Sequence, residues 1–226
     1  MKKFITIAAL ILGVLFIFSA TSVFAQYAYF GVKAGVNFAN VWGEDTDPVN
    51  GYPYYGWDEK KSRISFVGGV YSTIVLARVF AIQPELLFTM QGAIYELGEE
   101  KAILKLSYIQ LPVLLKFYIP MAGNVKPNLF AGPYGSYNVI AKEKYEVAEV
   151  EIYDEDLDDQ FIQKFDYGIV FGIGFDFIVF NDKQLTVDAR YNLGLAKIFK
   201  DVPVPGTNED PVFRNGTISA MVGIGF

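Results

Sequence analysis

Beyond the first 25 residues, apolar and polar positions alternate with a period of two through most of the chain. That is the period of a β-strand whose two faces meet different surroundings. In residues 29–41, Phe30, Val32, Ala34, Val36 and Phe38 share one face, and Gly31, Lys33, Gly35 and Asn37 the other. Residues 63–76 oppose Ile64, Phe66, Val70 and Ile74 to Arg63, Ser65, Gly69, Tyr71 and Thr73. Residues 79–92 oppose Ile82, Leu86, Phe88 and Met90 to Gln83, Glu85, Thr89 and Gln91. Residues 106–119 set Ile109, Leu111, Val113, Leu115 and Phe117 against Tyr108, Gln110, Lys116 and Tyr118. Residues 126–140 are less regular and carry Pro127 and Pro133, which a fully paired strand resists, so a bulge is expected near Gly132-Pro133. Three more segments follow. Residues 165–179 oppose Tyr167, Ile169, Phe171, Ile173, Phe175 and Phe177 to Asp166, Gly168, Gly172, Gly174 and Asp176. Residues 184–195 oppose Val187, Ala189, Tyr191 and Leu193 to Thr186, Asp188, Arg190 and Asn192. Residues 215–226 end the chain with Ile218, Ala220, Val222, Ile224 and Phe226 on one face.

These are eight strands of the length a tilted membrane strand needs, roughly 9–11 residues in hydrocarbon. The connections alternate. Ala77-Arg78, residues 120–125 and residues 180–183 are short; residues 43–62, 93–105, 141–164 and 196–214 are long and polar. Short turns at one end and long loops at the other are the arrangement of outer-membrane barrels. The expected fold is therefore all-β: an eight-stranded, antiparallel, up-and-down transmembrane β-barrel, with both termini at the short-turn end. Closure pairs the first strand with the last, so that no unpaired edge faces lipid.

The polar faces carry Lys33, Arg63, Glu85, Lys116, Asp166, Asp176, Asp188 and Arg190, four bases and four acids. The apolar faces are bulky on every strand, too bulky for an interior that eight strands leave just wide enough for side chains. The faces are therefore inverted relative to a soluble barrel: aromatics toward lipid, glycines and charges inward. Buried charges need partners, so a lumen ion network is expected, with Arg190, Glu85, Asp188 and Lys116 at its centre. Tyr27, Tyr29, Trp42, Phe80, Tyr118, Tyr137, Tyr167 and Phe180, near strand ends, are candidates for the interfacial aromatic girdles.

The N-terminus reads as a cleavable signal-peptide helix over residues 1–25. Lys2 and Lys3 precede an apolar stretch, and Val23-Phe24-Ala25 places small residues for cleavage before Gln26. No later segment is apolar for long enough to span as a helix. Residues 26–226 then form the barrel domain. Removing residues 1–25 removes two lysines, leaving 17 basic and 25 acidic residues and a net charge of −8. That is a poor surface for nucleic acid. The chain has no cysteine and no histidine, so disulfides, thiolate metal sites and histidine general bases are all excluded.

Several runs resemble the PorT-like outer membrane β-barrel family of Bacteroidetes. They are Phe30-Gly31-Val32-Lys33-Ala34-Gly35-Val36-Asn37, Pro84-Glu85-Leu86-Leu87-Phe88, and Tyr108-Ile109-Gln110-Leu111-Pro112-Val113-Leu114-Leu115-Lys116. Ala131-Gly132-Pro133-Tyr134, Phe165-Asp166-Tyr167-Gly168 and Asp188-Ala189-Arg190-Tyr191-Asn192-Leu193-Gly194-Leu195 are similar to it as well. The resemblance covers the mature chain and implies residence in the cell outer membrane. It also implies partners: outer-membrane lipid and the insertion machinery, which reads an aromatic C-terminal signal, here Phe226. One namesake member takes part in protein secretion.

No enzyme chemistry is expected. The protease, phospholipase and palmitoyl-transferase types of outer-membrane barrel each use a histidine, which this chain lacks. Asp166 and Asp176 are ten residues apart on one strand face, too far for direct cooperation. Asp154, Asp156 and Asp158 have the spacing that opens a calcium loop, but the glycine expected next is Asp159. They are weak metal candidates, and no cofactor is expected. The functional expectation is a structural or interaction barrel acting through its long loops. The alternatives are an accessory part of a protein-secretion or envelope-assembly machine, a narrow pore for small solutes, and a soluble lipocalin-like binder.

Overall fold

The computed structural model describes residues 27–43, 59–157, 162–179, 183–200 and 212–226. The signal-peptide expectation, Asp158, the 180–182 turn with Phe180, and the Tyr27 side chain lie outside the described residues. The described residues form nine strands: β1 (Tyr27–Trp42), β2 (Glu59–Ala77), β3 (Phe80–Leu97), β4 (Glu100–Tyr118), β5 (Val125–Val147), β6 (Val150–Asp156), β7 (Phe165–Ile178), β8 (Gln184–Gly194) and β9 (Arg214–Gly225). Eight of them close an antiparallel ring in the order β1-β2-β3-β4-β5-β7-β8-β9 and back to β1. β6 pairs only with the far end of β5, from Lys142↔Asp156 to Val147↔Val150.

The seam of the ring is its last pairing, from Gly31↔Gly225 to Trp42↔Arg214. Phe226 continues it: its N–H donates to the Phe30 carbonyl at 2.7 Å and its carbonyl accepts from the Phe30 N–H at 3.2 Å. The Phe226 side chain is exposed, in step with exposed Ile218 and Val222. Every strand of the ring thereby has two neighbours, and no backbone edge is left for lipid to meet.

Two expected loops are not loops. Residues 93–105 continue β3 and β4 to a two-residue turn at Gly98-Glu99, with Gly98 at φ 58°, as a tight hairpin turn of this kind requires. Residues 141–147 continue β5, and residues 150–156 return as β6. The charges in these stretches suggested loop, yet the two-residue period never breaks; only the polarity of the faces changes. Nearer the short-turn end, β4 turns Lys116 and Gln110 inward and Val113, Leu115 and Phe117 outward. Past Tyr108 it buries Leu106, Leu104 and Ala102. The barrel wall is built for lipid in one half and for water in the other.

The bulge expected at Gly132-Pro133 is elsewhere. β5 keeps register with β7 straight through both residues, to Ile169 and Val170. The shift falls between Ser107 and Tyr108, which pair with Ile140 and Asn138 and leave Val139 extra. On the other side, pairing passes from Pro112↔Tyr134 to Leu115↔Ala131. A proline has one missing donor, so it interrupts one neighbour rather than both.

Candidate functional site

The lumen is the one place where the fold concentrates chemistry. Where its charged side chains pair between strands, the two strands are not neighbours in the sheet. Arg190 of β8 makes two forks. Nη1 and Nη2 donate to Glu85 of β3 at 2.6 and 3.2 Å, and Nε and Nη2 donate to Asp188 at 2.8 and 3.0 Å. Lys33 of β1 donates to Glu85 at 2.8 Å and to Asp188 at 3.1 Å. Bidentate guanidinium–carboxylate geometry is the strong form of such contacts. All four side chains are almost wholly buried.

A second group lies beside the first. Lys116 of β4 donates to Asp176 of β7 at 2.8 Å, and the Tyr118 hydroxyl donates to the same oxygen at 2.8 Å. Gln83 joins the groups: its Oε1 accepts from Lys116 at 3.2 Å and from Thr73 at 2.7 Å, while its Nε2 donates to Glu85 at 2.6 Å. Lys33, Lys116 and Arg190 balance Glu85, Asp176 and Asp188, so the connected network is neutral. A neutral set with every charge paired is what the low-dielectric interior tolerates, and of its carboxylate oxygens only Asp176 Oδ1 accepts no hydrogen bond.

Aromatic rings brace the cations. Lys33 Nζ lies 4.8 Å from the Tyr71 ring centroid, and the Arg190 guanidinium lies 5.2 Å from that of Phe130. Each ring crosses the glycine with which it is in register, Tyr71 over Gly31 and Phe130 over Gly172. A Cβ on either glycine would run into the ring. Close approach, rather than turn geometry, is what calls for glycine at these two positions.

Of the eight expected lumen charges, six lie in this network. Asp166 stands apart, accepting from Tyr134 at 3.3 Å and from Asn215 at 3.1 Å. Arg63 is only partly buried and donates to the Gln91 carbonyl at 2.8 Å. Gln83, Tyr71 and Phe130 were not singled out as site residues. Gln83 was legible as the inward neighbour of Glu85 two positions away; the rings were not, since nothing local says which glycine they cross. Tyr118, expected in a girdle, is buried and points inward to Asp176. Its place on the polar face of β4 already implied that.

Apolar side chains fill the rest. Leu114, Phe130, Tyr134 and Val170 form one internal cluster, and Val67, Leu87 and Met221 another. At the long-loop end Val41, Tyr95, Leu104 and Leu106 pack with Ile162, Ile198, Phe199 and Phe213 from the connecting segments. The connecting segments are tied to each other: Ile198 N–H donates to the Phe213 carbonyl at 2.7 Å and Gln163 N–H to the Ile198 carbonyl at 2.8 Å. The barrel thus carries an apolar cap above its ions.

Asp154 and Asp156 do not lie in a calcium loop. They stand on β6, where Lys105 donates to Asp154 at 2.6 Å and Lys142 lies 3.5 Å from Asp156. The described residues hold no group of three or more acidic, histidine or cysteine side chains able to hold a metal ion.

A family model described as "Outer membrane protein beta-barrel domain" matches residues 24–200. No curated protein matches the chain. Solved structures similar to it include Ail, the attachment invasion locus protein of Yersinia pestis, at 14% identity and a TM-score of 0.45 over 89% of this chain and 100% of that one. Neisserial surface protein A is similar at 15% identity and 0.44, over 89% and 100%. The outer membrane protease OmpT of Escherichia coli is similar at 9% identity and 0.41, over 88% and 96%.

Proposed function

The chain belongs to the outer membrane protein beta-barrel domain family, and on that premise we propose that it is a closed scaffold whose work is done by the β-sheet it raises beyond the outer membrane. One observation carries this reading. β2, β3, β4 and β5 run for 19, 18, 19 and 23 residues, while β8 and β9 run for 11 and 12. A membrane strand needs roughly 9–11 residues in hydrocarbon. The excess on four adjacent strands, with β6 added, makes a five-stranded sheet on the extracellular side. A barrel with only a structural role has no use for such an investment of ordered backbone.

The lumen supports the same reading from the other direction. Among the described residues, ions in the middle and an apolar cap above fill the lumen with side chains, and on that ground we assign this barrel no conducting role. The acids of the network are each held by a lysine or arginine, Asp166 is held by Tyr134 and Asn215 away from them, and the role we assign is non-catalytic. Val150 and Ile152 of β6 are exposed apolar residues among acids, a surface suited to a protein partner.

The test is cross-linking in the native membrane, comparing the intact protein with a variant in which residues 143–155 are replaced by a two-residue turn. Loss of a specific cross-linked partner with the hairpin supports the reading. An unchanged partner set, or large stable single-channel steps in a planar bilayer, overturns it. Membership of a secretion or envelope-assembly machine would use the same sheet, and the identity of the partner separates that case.

A further inference from the structure

The lipid-facing wall of the barrel has a gap at Gly135. This residue lies on the outer face of β5, in register with Leu111 of β4 on one side and Tyr167 of β7 on the other. A Cβ built there would meet nothing within 4 Å, and its φ is not in the left-handed region. Neither packing nor backbone conformation therefore requires glycine, in contrast to Gly31 and Gly172. What the missing side chain creates is a cavity of about 260 Å³ lined by Ile109, Leu111, Tyr137, Phe165 and Tyr167. Tyr137 and Phe165 meet edge to face at 5.2 Å and close its extracellular end. Phe165 and Tyr167 are each 59% exposed and form a wall that projects from the barrel.

The cavity opens onto the apolar band that the family places against lipid, continuous with exposed Val113, Leu115 and Ile169 on either side. That continuity decides the occupant. We propose that the cavity holds one acyl chain of a membrane lipid more tightly than the surrounding lipid annulus is held. The attraction is not hydrophobic burial, because a lipid tail is as apolar outside the cavity as within it. It is close packing: cavity walls without a partner lose their dispersion contacts, and aromatic walls on a fixed backbone offer more of them than a smooth wall does. A flexible chain of methylenes is the one membrane component that can enter a slot bounded by rings. The inference rests on membrane location and not on the role proposed for the extracellular sheet, so either can fail without the other.

Native mass spectrometry of the full-length mature protein, released from detergent and titrated with dipalmitoyl phosphatidylethanolamine, tests it. The wild type is expected to bind a first lipid about 10-fold or more tightly than later ones. Gly135→Leu puts an apolar side chain at the cavity, its Cβ meeting no protein atom within 4 Å, and should abolish that distinction. Ile218→Leu, on the lipid face of β9, should leave it intact. Heat-modifiable gel mobility verifies folding of each variant; should Gly135→Leu not fold, Gly135→Ala is expected to weaken the first site in part. A wild type with no distinct first lipid overturns the proposal. So does a first lipid that survives Gly135→Leu. A dimer that Gly135→Leu converts to monomer would assign the cavity to a second copy and also overturn it.

Discussion

Arg190 and Glu85 are 105 positions apart in sequence, lie on strands that are not neighbours in the ring, and meet through two hydrogen bonds of 2.6 and 3.2 Å inside the lumen. Removing the guanidinium leaves two carboxylates, Glu85 and Asp188, to share Lys33. Breaking a buried pair from one side costs about 3–5 kcal/mol. Arg190→Leu should therefore lower the temperature at which the barrel unfolds in a heat-modifiability gel assay. Arg190→Lys should recover only part of the loss, because an ammonium cannot form both forks. An unchanged transition in Arg190→Leu would dismiss the network as a source of stability.

Phe130 and Gly172 make the second prediction. A Cβ at Gly172 would lie 2.6 Å from Phe130 Cζ and 2.9 Å from Arg190 Cα. Gly172→Ala should push the ring from beneath the Arg190 guanidinium and cost about 1–3 kcal/mol, the range for overpacking. Adding Phe130→Leu should restore some stability but not all, since the contact with the β8 backbone remains. Urea unfolding of the two variants in detergent would show it; full rescue by Phe130→Leu would be inconsistent with the backbone clash.

The tip of the β5–β6 hairpin is strained. Ala148 and Glu149 take φ of 48° and 65°, a region that costs non-glycine residues about 1–2 kcal/mol each. Ala148→Asn with Glu149→Gly supplies the residues this turn prefers. Slower amide hydrogen exchange along β6 is the expected outcome. Faster exchange would mean that the tip does not adopt this conformation.

The same hairpin should loosen in acid. The hydrogen bond from Lys105 holds the Asp154 carboxyl below its ordinary value. A depressed folded-state value contributes stability above the unfolded value, about 3.9, and that contribution is lost as the pH falls through the lowered one. Cross-strand NMR contacts between Tyr145 and Tyr153, whose rings stack at 5.5 Å, should weaken below about pH 4. Lys105→Met should weaken them at neutral pH and flatten the dependence.

Much of this architecture was legible in particular residues. Phe165 to Phe177 alternates so strictly that β7 and its two faces follow from it alone. Lys33, Glu85, Asp188 and Arg190 could each be assigned to the inner face from their own strand. Residues 93–105 were misread because Glu96, Glu99, Glu100 and Lys101 looked like a solvated loop. Charge content overrode a period that Ala93, Tyr95, Ala102 and Leu104 still kept. Tyr118 was misread for a related reason, since aromatic character at a strand end was given more weight than the face it occupies.

By itself the sequence determined the number of staves in the ring, the two faces of the strand segments it marked out, and the outward place of Phe226 beside Ile218 and Val222. All of these depend on the two-residue period and on where turns interrupt it, which are local properties of the chain. Only the tertiary structure decided that Arg190 meets Glu85 while Asp166 meets no base among the described residues, that Phe130 lies across Gly172, and that Gly135 opens a cavity between Leu111 and Tyr167. Those outcomes depend on height and angle around the barrel. Both are set when the β1–β9 seam closes with one particular stagger, a quantity shared by all the strands and written in none of them.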